Sequence, residues 1–133
     1  MIAFWATDHA TAAIKGFIAL EGIYDIPQLA KTWPSYENWF LKSEFGPKSE
    51  WLNASPSQLK FKNKSPWLLV HSEKDELVDI QQTLDFESHL KKENIKSQLL
   101  RLKALSHFAV VESLSNEKSD LVISALKFIH LNE

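Results

Sequence analysis

Cysteine is absent from the 133 residues, which removes a disulfide framework, a zinc ribbon and a thiol nucleophile together. Nucleophilic chemistry is left to serine, threonine, lysine or a carboxylate. Glycine is nearly as scarce. Only Gly16, Gly22 and Gly46 occur, so there is no P-loop and no dinucleotide fingerprint, and no repeat or low-complexity tract is visible. Charge of one sign is not in excess: 15 Lys and Arg face 17 Asp and Glu, a formal net charge of −2. That balance offers nothing to nucleic acid or an anionic membrane. The longest apolar runs, such as Phe17 to Leu20 and Trp67 to Val70, fall well short of the ~18 residues a membrane helix requires. Met1 to Thr7 lacks the basic start of a signal peptide, and Asp8 and His9 interrupt the apolar stretch that follows. The expectation is a soluble, cytoplasmic chain of one domain, residues 1–133.

Against these absences stands a clear alternation of elements. Ile14 to Tyr24, "IKGFIALEGIY", is short, mostly apolar and closed by a glycine and an aspartate, as a strand buried on both faces would be. Trp67 to His71, entered by Pro66, predicts a second such strand. Ile80, Leu84, Phe86 and Leu90 then follow helical spacing, with Asp79 at the start and Lys91 and Lys92 near the end. Ser97 to Leu102 predicts a third strand. Leu121, Val122, Ala125, Leu126 and Ile129 predict a last helix that Ser115 could cap. Strands alternating with helices imply a mostly parallel sheet with right-handed crossovers. Three such apolar strands form a small sheet whose edges call for neighbours, so a partner chain along an exposed edge is a further expectation.

Residues 26–64 show neither period and are rich in aromatics: Trp33, Tyr36, Trp39, Phe40, Phe45 and Trp51. A stretch this long is not an ordinary connection, where four to six residues is typical, and it predicts a cap-like insert with short helices of its own. Most of its aromatics are expected to pack the insert down. One or two facing a pocket would suit an aromatic ligand.

Sites in parallel α/β sheets form at the C-terminal ends of the strands. Three places qualify: Glu21 to Asp25, His71 to Val78 and Leu105 to Phe108. An acid after one strand and a histidine after the next is the arrangement by which a carboxylate orients an imidazole and stabilises its protonated form. Asp75 and His107 fill those positions as the candidate catalytic pair. Taken singly, Asp75 would be a helix-capping turn residue and His107 a packing histidine; their joint placement favours chemistry. His71 and Ser72 are adjacent on a strand end and point to opposite faces, so they form no local dyad and His71 is read as structural. His71, Asp75, Asp79 and His107 lack the dense spacing of H-E-x-x-H, and no metal or other cofactor is expected. His9, His89 and His130 read as surface or packing residues, and the lysines from Lys60 to Lys64 as a solvated loop.

The motifs around this pair resemble those of α/β-hydrolases. "PWLLVHSEKDELV" (Pro66 to Val78) is similar to the penultimate strand and acid turn, with Asp75 on the acid. "SHFAVVESL" (Ser106 to Leu114) is similar to the histidine loop that opens the last helix, and "WLNASPSQL" (Trp51 to Leu59) to the Ser-Pro element before the penultimate strand. "IALEGIYDIPQLAKTWPSYENWF" (Ile18 to Phe40) most resembles the fungal kynurenine formamidases, also called arylformamidases. The resemblance implies the C-terminal part of an α/β-hydrolase fold, with about three parallel strands, flanking helices and the aromatic-rich insert as a cap. It implies hydrolysis of N-formyl-L-kynurenine to kynurenine and formate in tryptophan degradation. Asp75 and His107 would be two members of the triad, and Tyr24 and Trp39 candidate contacts to a small aromatic formamide or ester.

The departure from that pattern is equally plain. None of the serines lies between glycines and the first, Ser35, is in the insert, so the G-x-S-x-G elbow and the oxyanion loop of these enzymes are missing. In family terms the sequence starts after the nucleophile helix, with Met1 to Ala12 as its tail or as unrelated sequence. The expectation is a half-enzyme inactive by itself. A non-catalytic remnant that binds a partner, a fragment of a related carboxylesterase, and, on the thin basis of Glu21 and Asp25, a receiver-like binding domain stand as alternatives.

Overall fold

The computed structural model describes residues 14–133, so the readings of Met1 to Ala12 and of His9 lie outside the described residues. Three strands, β1 (Phe17–Leu20), β2 (Trp67–Ser72) and β3 (Ser97–Leu102), form a parallel sheet in the order β1-β2-β3. Phe17 lies opposite Trp67, and Trp67 opposite Ser97. All six residues of β2 are buried, because both faces of this central strand are covered. The pleat divides them. Trp67 and Leu69 join Phe86, Leu90 and Phe61 on one side, while Leu68 and Val70 join Val110, Leu121 and Phe128 on the other. Each large side chain so buried contributes roughly 1.5–3 kcal/mol.

The first strand is shorter than the Ile14 to Tyr24 run. Glu21 takes a left-handed backbone conformation, φ 47°, which breaks the pleat straight after Leu20 even though its N–H still donates to Val70 O at 2.9 Å. Residues 26–58 hold α1 (Ile26–Thr32), a π turn (Glu37–Leu41) running into α2 (Lys42–Phe45), α3 (Lys48–Trp51) and a 3-10 turn (Pro56–Gln58). Asp25 accepts from Gln28 N to cap α1, and Ser55 Oγ ties the start of α1 to the end of α3 by accepting from Ile26 N and donating to Trp51 O. These helices pack a cluster of their own around Ile26, Leu29, Tyr36, Leu41 and Trp51, which extends to Val78 in the loop after β2.

Beyond β2 run α4 (Ile80–Lys92), α5 (His107–Glu112) and α6 (Asp120–Leu131). Two details correct the sequence reading. The buried face of α4 is Gln82, Thr83, Phe86 and Leu90, with Ile80 and Leu84 only partly covered. On α6 the buried residues are Leu121 and Phe128, with Ala125 packed against them, whereas Leu126 and Ile129 are exposed. Asp79 does occupy the N-cap of α4, but its side chain makes no capping bond.

The cap of α6 is Ser119, not Ser115: Ser119 Oγ accepts from Val122 N at 3.2 Å, while Ser115 ends a 3-10 turn that prolongs α5 and donates to Glu112 O. Ser119→Ala is therefore expected to destabilise the fold by about 1 kcal/mol. Ser115→Ala should leave the urea unfolding midpoint nearly unchanged, and an equal loss for both variants would refute this cap assignment.

Candidate active site

The three strand ends converge on one spot, and the loop after β2 is built to hold a carboxylate there. Asp75 Oδ1 accepts from Leu77 N at 2.8 Å and from Val78 N at 2.9 Å, an Asx-type turn that fixes the side chain with only 1% of it exposed. Its other oxygen, Oδ2, accepts from Nδ1 of His107 at 2.8 Å. The geometry sets the tautomer: with Nδ1–H donated to Asp75, Nε2 is the basic nitrogen. Among the described residues no side chain pairs with Nε2, and the His107 side chain keeps 24% exposure.

His107 is the first residue of α5, not part of the last helix, and the loop before it is tied down from β2. Ser72 Oγ donates to Leu105 O and accepts from Leu105 N, and Glu76 Oε2 accepts from His107 N at 3.2 Å. Tyr36, from the helices of residues 26–58, donates its hydroxyl to Leu77 O at 2.9 Å and so braces the acid turn from outside. His71 lies beneath, fully buried. Its Nδ1 pairs with Thr83 Oγ1 at 2.7 Å and its Nε2 with Val78 O at 3.1 Å. Burial pushes its pKa down, so a neutral ring donating to Val78 O and accepting from Thr83 suits the site. Its Nε2 is 3.7 Å from Asp75 Oδ2.

Sequence reasoning placed Glu21 at a strand end but did not join it to Asp75 and His107 as a second carboxylate of the site. Glu21, 4% exposed, places Oε2 at 3.5 Å from His107 Nδ1 and uses Oε1 to accept from Ser72 N. Burial, and next the Asp75 carboxylate beside it, raise its pKa to about 8. The signal in the sequence was its place at the exit of the first strand, directly before Gly22, where strand-end residues gather at a site.

Tyr24 is buried and stacked on Phe86 with ring centroids 4.0 Å apart. Its ring lies so close to the chain that a Cβ at Gly22 would stand 2.6 Å from it, which is why a glycine follows Glu21. Gln82 holds this exit by accepting from both Tyr24 N and Asp25 N. A cavity of about 520 Å³ opens beside His107, walled by Ile18, Leu20, Ile23, Tyr24 and Phe45 among others. Trp39 does not line it; this ring is 66% exposed and packs edge-on against Tyr36 and Phe40. His89 packs between Phe61 and Phe86, and His130 is exposed. One polar side-chain atom from each of Glu21, Asp75 and His107 lies within 4.8 Å of the others, and within this cluster His107 Nδ1 and Asp75 Oδ2 are already joined by a hydrogen bond. Among the described residues no helix is long and apolar enough to cross a membrane.

The sequence profile of the prolyl oligopeptidase family matches residues 1–130. The kynurenine formamidase of Meyerozyma guilliermondii is 32% identical in a match 94 positions long that covers 58% of this chain and 36% of that protein. The chain thus spans about a third of that relative's length. Among solved structures, the Pyrococcus horikoshii acylaminoacyl peptidase superposes with a TM-score of 0.65 at 24% identity, over 81% of this chain and 18% of that one. A Mycobacterium tuberculosis puromycin-hydrolyzing peptidase gives 0.64 at 24%, over 80% and 18%. The acetyl ester-xyloside bifunctional hydrolase of Caldicellulosiruptor lactoaceticus gives 0.64 at 17%, over 90% and 44%. These likenesses show the fold: the sheet and its helices form part of an α/β-hydrolase fold.

Proposed function

Because the chain belongs to the prolyl oligopeptidase family, we propose that Asp75 and His107 are the acid and base of a serine hydrolase that deformylates an aromatic formamide, N-formyl-L-kynurenine. The observation that carries this reading is the 2.8 Å hydrogen bond from His107 Nδ1 to a buried Asp75, with Nε2 unpaired among the described residues and open to a reacting group. The identity to a kynurenine formamidase supports the substrate, as does an apolar cavity with Tyr24 in its wall. Residues 26–64 serve as the cap over that cavity, through Phe45.

In this reading the serine is brought by a segment outside the 133 residues. Among the described residues β1 is hydrogen-bonded on one side only, and its C-terminal end places Glu21 3.5 Å from His107. A strand added along that edge would deliver a strand-to-helix turn next to Nε2, the position of a nucleophile elbow. The serine hydroxyl attacks the formyl carbonyl while Nε2 takes its proton. The tetrahedral adduct collapses with cleavage of the C–N bond, and the imidazolium returns the proton to the departing arylamine, which leaves as kynurenine. Water, deprotonated by the same nitrogen, then releases formate from the formyl-serine. Asp75 fixes the tautomer throughout and offsets the imidazolium charge.

Substrate preference is the test. With the nucleophile-bearing segment of the Meyerozyma guilliermondii enzyme supplied in trans, the completed enzyme should turn over N-formylkynurenine with a higher kcat/KM than an aryl acetate of similar size. Ester turnover without formamide turnover would move the reading to a carboxylesterase.

A further inference from the structure

We propose that Glu21 is a positioning residue for His107: a neutral carboxylic acid that shares its proton with Asp75 and closes the Nδ1 side of the imidazole, so that the ring presents only Nε2 to reacting atoms. The inference deepens the acid–base reading of Asp75 and His107 and rests on it.

Three observations converge. Among the described residues Glu21 Oε2 is buried without a hydrogen-bond partner, yet it lies 3.5 Å from Nδ1, and the glutamate side chain is 2% exposed. Glu21 and Asp75 bring carboxylate oxygens within 4.8 Å of each other, with side chains only 2% and 1% exposed; two carboxylates this close and this buried cannot both carry charge cheaply, so one takes a proton. Asp75 already accepts from two backbone N–H groups and from His107, so donors occupy both of its oxygens. Glu21 accepts from a single N–H, that of Ser72. The proton therefore belongs on Glu21, where Oε2–H can donate to Asp75. Finally, Glu21 holds its place at φ 47°, a conformation that costs a side chain on the order of 1 kcal/mol or more. Such strain at a strand exit persists where the surroundings hold the side chain on a task.

The charged and titratable groups facing Glu21 are Asp75 and Glu76 from the loop after β2 and His107 from α5. The two acids oppose ionisation of Glu21, and among the described residues the imidazole beside its Oε2 is that of His107. Below about pH 8 the imidazole therefore meets the single charge of Asp75 on its Nδ1 side, and above it a second charge from Glu21. The sign for stability follows. A carboxyl whose folded pKa lies above its ordinary 4.5 favours the folded state most at low pH, and that contribution is lost as pH rises from about 4.5 to about 8.

The test is a pH titration of the ¹³C-labelled chain by NMR, which requires no turnover. The Glu21 carboxyl carbon should titrate near pH 8, and the carbon-bound ring protons of His107 should show a step at the same pH. In Glu21→Gln, which keeps an acceptor for Ser72 N and an N–H donor toward Asp75, that step should vanish and the urea midpoint should cease to fall between pH 4.5 and 8. Ionisation of Glu21 in the wild-type chain near 4.5, or survival of the His107 step in Glu21→Gln, would overturn the proposal; the first result needs no variant to fold. The outcome is separable from the hydrolase reading. A completed enzyme that deformylates substrate while Glu21 ionises near 4.5 sinks this inference alone. Glu21 titrating near 8 with the His107 step, in a completed enzyme that turns over no substrate, would uphold the shared proton and sink the hydrolase reading instead.

Discussion

Asp75→Asn, made in the enzyme completed by a nucleophile-bearing segment, is expected to lower kcat about 10⁴-fold with KM little changed. The size follows from how Asp75 is held. Its Oδ1 must accept from Leu77 N and Val78 N, so an asparagine in this turn keeps its carbonyl oxygen there and turns its NH₂ toward His107. That group donates where the aspartate accepted. Nδ1 must then become the acceptor and Nε2 carry the proton, so the ring can no longer remove one from the serine. Backbone geometry survives, because the two turn hydrogen bonds survive. A loss in KM with kcat preserved would mean that Asp75 shapes the pocket and does not set the tautomer.

The second large effect concerns stability. Phe86 is fully buried, stacks on Tyr24, and meets Trp67 and Phe61 edge-on at centroid distances of 5.5 and 6.0 Å. Phe86→Ala removes the piece that joins α4, β2 and the exit of β1, and the rigid rings around it cannot collapse into the space. A cost of about 3–5 kcal/mol is expected. In a domain this small that is a large share of the whole stability, so the variant should unfold at much lower urea or fail to accumulate folded. Urea denaturation read by tryptophan fluorescence checks it; a loss under 1 kcal/mol would show that the cluster around β1 is loosely packed. Because Tyr24 leans on Phe86 and Gly22 on Tyr24, the same substitution should also loosen Glu21, visible as a lowered NMR-measured pKa for that residue.

Much of this arrangement is legible in the sequence for definite reasons. A strand buried on both faces must be apolar throughout, so β2 stands out between Pro66 and the polar run that follows. The strand-end rule then leads to Asp75 and His107 without any knowledge of their distance, and the structure brings them to 2.8 Å. Glu21 was hidden because its contact with His107 depends on strand order. Only when β1 and β3 flank β2 do the first and third strand ends meet over the second, and no spacing along the chain reports that. The α6 cap was misplaced because Ser115 and Ser119 precede the same helix. The choice between them turned on a 3-10 extension of α5 that local propensity does not reveal. The buried face of α6 was misread for a related reason: Leu126 and Ile129 are apolar, but the sheet is narrow and covers only the line through Leu121, Ala125 and Phe128.

Kynurenine and formate release is the measurement that bears most directly on the pairing of Asp75 and His107 with a serine from outside this chain. The 133 residues alone should release neither product from N-formylkynurenine. Mixing with the nucleophile-bearing segment of the Meyerozyma guilliermondii enzyme should restore release, and His107→Ala in this chain should abolish it. Turnover by the isolated chain, or restored turnover that survives His107→Ala, would contradict the account.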